Sequence, residues 1–306
     1  MTLHRATAGR VFMDTFVSFE VLHEDTETDA ADAAMSDGFR WFSDVEATCS
    51  RFDPESELRR LCARTGEPVT VGPLLFAAVS FALELAERTG GAFDPTVGAA
   101  MEAAGFDREY RSQESHPHDA VPGATWRDVI LDDDARTIRL ERGLTLDLGA
   151  VAKGLAIDLA GQAFAPFRGF VIDAGGDILT GGTNADGGPW VIGLRDPIAT
   201  DVLAGSVRLT DAAICTSGGY ERKAARGGHH ILDPRTHCAG PSTPAETASV
   251  TVIAETAMAA DALATAAFVL GGEAAIAFLE DERAEGRLTT IDGRVLATRG
   301  FEEYWL

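Results

Sequence analysis

Hydrophobic positions change period several times along the chain, and each change predicts an element. Residues 10–22 alternate, with Val11, Met13, Thr15, Val17, Phe19 and Val21 on one side, which predicts a first strand. From 28 to 49 the apolar positions Ala31, Met35, Phe39, Phe42 and Val45 take helical spacing beside acidic residues, the stripe of an amphipathic helix. A short helix is expected to open at Ser56, after Pro54, and a longer one at Pro73, running through Leu85 and closed by Gly90 and Gly91. Further on, 129–131 and 137–140 read as a hairpin over a turn at 132–134, and 144–148 as another strand running into a helix. Short strands are expected at 170–172, 190–194 and 206–209, between Gly-rich turns. A helix over 256–270 stops at Gly271 and Gly272, and a hairpin of 288–291 and 295–298 around Asp292-Gly293 ends the chain. Strands and helices do not alternate regularly, which predicts an α+β fold of mixed and antiparallel sheets with packed helices rather than a doubly wound sheet. The polar stretch 111–123, with two prolines, is expected to be a surface loop.

Composition narrows the classes of partner. The chain has 306 residues, 45% hydrophobic and 24% charged, enough apolar surface for one large domain or two lobes. Its 26 Lys and Arg against 48 Asp and Glu leave a net charge of −22, which repels nucleic acid and polyanionic membranes. A small phosphate-bearing ligand stays open, provided that local amides, a lysine or a bound cation outweigh the overall field. Cys49, Cys62, Cys215 and Cys238 are far apart in the sequence, which predicts reduced thiols. Residues 1–10 lack the apolar core of a signal peptide, there is no lipobox, and the longest apolar run, 74–85, is broken by Ser80. The expectation is a cytoplasmic protein with no membrane insertion.

Five segments are rich in Gly, Asp, His and Ser. In 147–158 a strand runs into a helix whose Gly149 permits close backbone approach and whose Lys153 lies near the helix start. A phosphate contact and a solvated corner lysine are equally open there, and the pattern is not a Walker loop. Asp261 and Thr265 stand four apart on one face of an otherwise apolar helix, where a lone carboxylate is costly unless paired. Hard oxygen donors favour Mg²⁺ there over an ion pair with arginine. Thr216-Ser217-Gly218, followed by His229-His230 and Asp233-Pro234, offers phosphate contacts and a proton acceptor, whereas the His and Cys spacing fits no structural zinc site. The stretches 91–98 and 172–178, taken alone, are compatible with simple turns.

Taken in order, these segments resemble the FAD:protein FMN transferase (ApbE) family. The resemblance is carried by Met13-Asp14-Thr15, Ser50-Arg51-Phe52-Asp53-Pro54, the 91–98 and 147–158 stretches, Gly175-Gly176-Asp177, Thr216-Ser217-Gly218, residues 230–234 and 261–265. The resemblance implies a single ApbE-like domain over 1–306, with two lobes around a flavin cleft. It implies a Mg²⁺-dependent enzyme that splits FAD, joins FMN by a phosphoester to a Thr or Ser of an acceptor flavoprotein, and releases AMP. Position by position, it implies Asp261, Thr265 and the Ala150 carbonyl as metal ligands. Met13, Phe52, Ala92, Phe93, Asp94 and Lys153 would line the FAD site with Ser217 and Ile231, and His230 would be the general base. The chain departs from the family pattern at Asp14, where glycine is usual, and at His237, after Arg235-Thr236, where glycine again is usual. An FAD pyrophosphatase giving FMN and AMP, and a non-catalytic FAD-binding protein, are the alternatives.

Overall fold

The structure, a computed structural model, describes residues 3–106, 121, 123–219, 231–236 and 247–306, and the backbone alone at 238–239. Most of the expected loop at 111–123 lies outside the described residues, as do His229, His230 and His237. In chain order the elements are β1 (Leu3–Phe12), β2 (Thr15–Glu24), α1 (Thr28–Cys49), α2 (Glu57–Cys62), β3 (Pro68–Thr70), α3 (Pro73–Arg88) and α4 (Gly98–Ala103). There follow β4 (Val129–Asp132), β5 (Thr137–Leu140), α5 (Gly149–Phe164), β6 (Gly169–Ala174), β7 (Asp177–Gly182), β8 (Trp190–Arg195), β9 (Leu203–Leu209) and β10 (Ala212–Gly218). The last are β11 (Leu232–Asp233), β12 (Cys238–Ala239), β13 (Thr247–Ala254), α6 (Ala257–Leu270), α7 (Gly272–Asp281), β14 (Glu285–Thr290) and β15 (Val295–Ala297). This is the α+β class that the patterning predicts; the named strand pairs are all antiparallel. No helix among the described residues is long and apolar enough to cross a membrane.

The chain divides into two compact units. The first comprises Met1–Ser43, Lys153–Gly218 and Ala245–Leu306. Its centre is an eight-stranded sheet in the order β1-β2-β6-β7-β10-β13-β14-β15. Alternation along β10 divides the layers. Ile214 points with Ile253 into a core shared with Leu194, Val207 and Leu209 of the β8–β9 ribbon and with Phe301. Its neighbours on the other face meet α6: Cys215 Sγ lies 3.6 Å from the Ala257 carbonyl, and Ser217 Oγ 3.1 Å from Thr265 Oγ1. A second core is aromatic. Phe19 of β2 stacks on Phe39 of α1 at 4.3 Å and meets the edge of Phe164 of α5 at 5.0 Å. Gly38 allows that approach, because a Cβ there would stand 2.9 Å from the Phe19 ring.

The second unit comprises Asp44–Ala152 and Gly219–Pro244. Within it, α2, α3 and α4 accompany a three-stranded sheet in the order β3-β5-β4, and β11 pairs with β12. Ser56 caps α2 by accepting the Arg59 N–H, and Pro73 opens α3, both as the punctuation predicts. Cys49 and Cys62 here, and Cys215 in the first unit, are buried free thiols. Burial pushes Cys49 up to about 12 and Cys62 up to about 11.

Two expectations are corrected. The alternation over 10–22 is not one strand: Met13 and Asp14 form a two-residue turn, with φ of 49° and 58°, between β1 and β2. Across such a turn Val11 pairs with Phe16 and Arg10 with Val17, so the odd-numbered positions change face. Val17, Phe19 and Val21 are buried, whereas Val11 is exposed. The stretch 144–148 is not a strand of any sheet and makes a single bridge, from Thr145 to Val97. Leu144, Leu146 and Leu148 are buried there by packing, while the Asp147 N–H goes to the Pro95 carbonyl. The helix expected over 256–270 does stop at Gly271, and a further helix, α7, follows from the next residue.

Candidate functional site

In the first unit three elements bring charged groups to one point. The β6–β7 turn, made by Gly175 and Gly176 at φ of 68° and 98°, places Asp177 at the head of β7. Helix α6, apolar enough to be buried along most of its length, carries Asp261 inward with Thr265 one turn on. Helix α5 supplies Lys153, whose Nζ pairs with Asp177 and stands 3.3 Å from Asp261 Oδ2. Around them, the Thr216 N–H donates to Asp177 Oδ1 at 3.4 Å, and Ser217 Oγ is hydrogen-bonded to Thr265 Oγ1. Lys153, Ser217, Asp261 and Thr265, each predicted from the sequence, are therefore neighbours or next neighbours here.

The charges in this cluster do not balance. Two carboxylates, 3% and 7% exposed, share one ammonium. Asp177 Oδ2 and Asp261 Oδ2 are both buried and both face that same ammonium, without an aligned hydrogen bond of their own. Two buried carboxylates on one ammonium leave a net negative charge that favours a further cation, and carboxylate and hydroxyl oxygens are the hard donors that Mg²⁺ takes. Among the described residues no three His, Cys, Asp or Glu side chains group as a metal nest. The residues thus fit an ion held by one or two carboxylates and completed by hydroxyl, carbonyl, water or substrate oxygens, which is the usual habit of Mg²⁺.

Met13 sits half-buried in the β1–β2 turn of the same unit. Asp14 beside it occupies the left-handed region that glycine takes freely and that aspartate tolerates better than most residues. The substitution thus leaves a tight two-residue turn in place.

The remaining predicted residues lie in the second unit. Phe52 is half-buried, and one face is covered by the Arg51 guanidinium, 4.1 Å from the ring centre. Arg51 is itself buried: Nε donates to Asp147 Oδ2 at 2.7 Å and Nη2 to the Phe106 carbonyl at 2.6 Å. The other oxygen of Asp147 accepts the Gly149 N–H at the start of α5, next to Ala150. Ala92, Phe93 and Asp94 are buried in the loop after α3. Asp94 accepts from Thr96 N–H and Oγ1 and from the Trp126 N–H, so it orders that loop. Its carboxyl is nevertheless pushed up, chiefly by desolvation, with these bonds opposing the shift. Ile231 is buried just before β11, and His230 lies outside the described residues.

Sequence reasoning left Asp177, Arg51 and Asp147 without roles although it quoted all three. A Gly-Gly-Asp turn has the composition of any hairpin, and only the fold brings Asp177 to Lys153. The signal for Arg51 is more direct: an arginine beside an aromatic in a Ser-Arg-Phe-Asp-Pro loop is a candidate for stacking.

Comparison with known proteins gives the family and the fold. The sequence model of the ApbE family matches residues 13–288. A FAD:protein FMN transferase of Treponema pallidum is 35% identical over 294 residues, spanning 88% of this chain and 80% of that protein. The crystal structure of the ApbE protein of Thermotoga maritima superposes with a TM-score of 0.83 at 28% identity, covering 98% of this chain and 99% of that one. The flavin transferase ApbE from Vibrio cholerae gives 0.84 at 26% identity, covering 99% of this chain and all, 100%, of the other. The chain belongs to the FAD:protein FMN transferase (ApbE) family.

Proposed function

We propose that this chain uses Mg²⁺ to cleave FAD and to attach FMN to a Thr or Ser hydroxyl of an acceptor flavoprotein, releasing AMP. The observation that carries this reading is the cluster in which buried Asp177 and Asp261 each turn one oxygen to the single, half-buried Lys153 ammonium, leaving the charge unbalanced. Asp261, Thr265 and the carbonyl of Ala150 are assigned to the ion. When bound, a divalent cation offsets charge on the pyrophosphate oxygens, where the departing AMP gains negative charge.

The chain's own residues divide the remaining work. Lys153 adds a positive charge for the phosphates, and Asp177 holds its ammonium in place. Phe52 is assigned to stack its ring on a flat ring of the dinucleotide. Met13, Ala92, Phe93, Asp94, Ser217 and Ile231 are assigned to the walls of the FAD site. The acceptor hydroxyl forms a new bond to the phosphorus of the FMN half, and the bridging bond to AMP breaks. The hydroxyl proton passes to an imidazole, the role assigned to His230, because an alcohol is a weak nucleophile near neutral pH.

The test is incubation with FAD, Mg²⁺ and an acceptor flavoprotein, followed by denaturing electrophoresis. A fluorescent flavin band on the acceptor is expected, and Asp261→Asn is expected to lower its rate by at least a hundredfold while the fold is kept. AMP release that ignores the acceptor and leaves it unlabelled would overturn transfer in favour of hydrolysis. Full labelling by Asp261→Asn would overturn the metal assignment.

A further inference from the structure

The 147–158 stretch ends in Asp158, to which neither the resemblance nor the proposed chemistry gives a task. Asp158 stands on α5, yet both of its oxygens are spent on another helix. Oδ1 accepts the Ala257 N–H at 2.7 Å and Oδ2 the Met258 N–H at 2.9 Å. These are the first two amides of α6, which a helix cannot satisfy within itself. Thr256 takes the third, accepting the Ala259 N–H at 3.2 Å.

One turn before Asp158 on α5 is Gly154, and here the two backbones touch. A Cβ at this position would lie 2.4 Å from Met258 Cα and 2.5 Å from the Ala257 carbonyl oxygen. That obstacle is main chain and cannot turn aside. Gly154 and Asp158 therefore hold the start of α6 at one distance from α5. Along α6, Asp261 follows Ala257 by four residues and Thr265 follows by four more, so all three share a face. Lys153 precedes Gly154, and its 3.3 Å separation from Asp261 spans this same junction.

We propose that Asp158 is a positioning residue: by gripping the first turn of α6 it sets where Asp261 and Thr265 stand relative to Lys153, and thereby the cation affinity of the cluster. This rests on the metal reading given above. The carboxylate's hydrogen bonds go to the backbone of α6 and not to a proposed ligand, so its grip reaches the ion through the helix.

The test measures Mn²⁺ binding to the intact chain without FAD, by electron paramagnetic resonance of the free ion. Asp158→Ala is expected to weaken binding at least tenfold. Asp158→Asn, which keeps one acceptor oxygen, should fall between Asp158→Ala and the unchanged protein. Gly154→Ala, which forces the helices apart without altering charge, should weaken binding as well. Thr256→Ala removes a neighbouring cap but leaves the α5 grip, and is expected to keep affinity within twofold despite lower stability. A folded Asp158→Ala or Asp158→Asn that binds like the unchanged protein overturns the positioning role alone. An equal loss in Thr256→Ala also overturns it, since the effect would then be general destabilisation. Absence of Mn²⁺ binding by the unchanged protein overturns the metal reading, and the positioning role falls with it.

Discussion

At the scale of single residues, Lys153 is the most exacting position. Its ammonium is the cation nearest two carboxylates that are otherwise short of partners. Removing one member of a buried charge group leaves the others uncompensated, which costs roughly 3 kcal/mol or more. Lys153→Met is therefore expected to lower stability by about that amount in urea unfolding without divalent ions. Millimolar Mg²⁺ should restore more stability to the variant than it adds to the unchanged protein; an unmoved midpoint would refute the account. Asp14 gives a contrasting case. Its φ of 58° suits glycine and is tolerated by aspartate, but it excludes branched side chains. Asp14→Gly should shift stability by no more than ~0.5 kcal/mol, because relief of the backbone offsets the greater freedom of the unfolded chain. Asp14→Val should cost about 1–2 kcal/mol, read as a lower melting temperature.

At the scale of elements, the link from α5 to α6 makes stability depend on pH. Desolvation pushes Asp158 up to about 6, against the Ala257 and Met258 amide bonds that favour its charged form. The Cys215 thiol of β10 also feels this carboxyl, and burial keeps the thiol uncharged. A carboxyl whose folded value is raised binds more protons folded than unfolded between about 4 and 6, so stability falls as pH rises through that window. Asp158→Asn is expected to remove this component, seen as a flatter stability profile from pH 4 to 6; an unchanged slope would count against it. Much at this scale was legible in the sequence. The α1 stripe, the Ser56 and Pro73 helix starts and the 129–140 hairpin all follow local chemistry that operates wherever the segment is placed. Strands β7, β10 and β13 escaped the pattern because they mix Thr, Ser and Gly with apolar residues. Their burial on both faces comes from the neighbouring strands and α6 rather than from their own alternation. The parity change at Met13-Asp14 escaped for a related reason: a tight turn leaves the period intact while exchanging the faces.

At the scale of the whole molecule, a net charge of −22 opposes compaction through self-repulsion. Raising KCl from low to near-molar concentration shortens the screening length to a few ångströms. The melting temperature is expected to rise by several degrees in differential scanning calorimetry; a flat or falling trend would show that local pairing outweighs the overall field. The sequence by itself determined the family, the α+β class, most helices and the residue types able to hold a hard cation and a phosphate. These depend on short-range order along the chain: periodicity, caps, turns and the sequence of motifs. Only the tertiary structure decided that Asp177, Lys153 and Asp261 share one buried point and that Asp158 reaches across to another helix. The separation is physical. A side chain's own chemistry is written locally, but its charge balance and desolvation are set by groups that may be a hundred residues away and are brought near only when the sheet and its helices close.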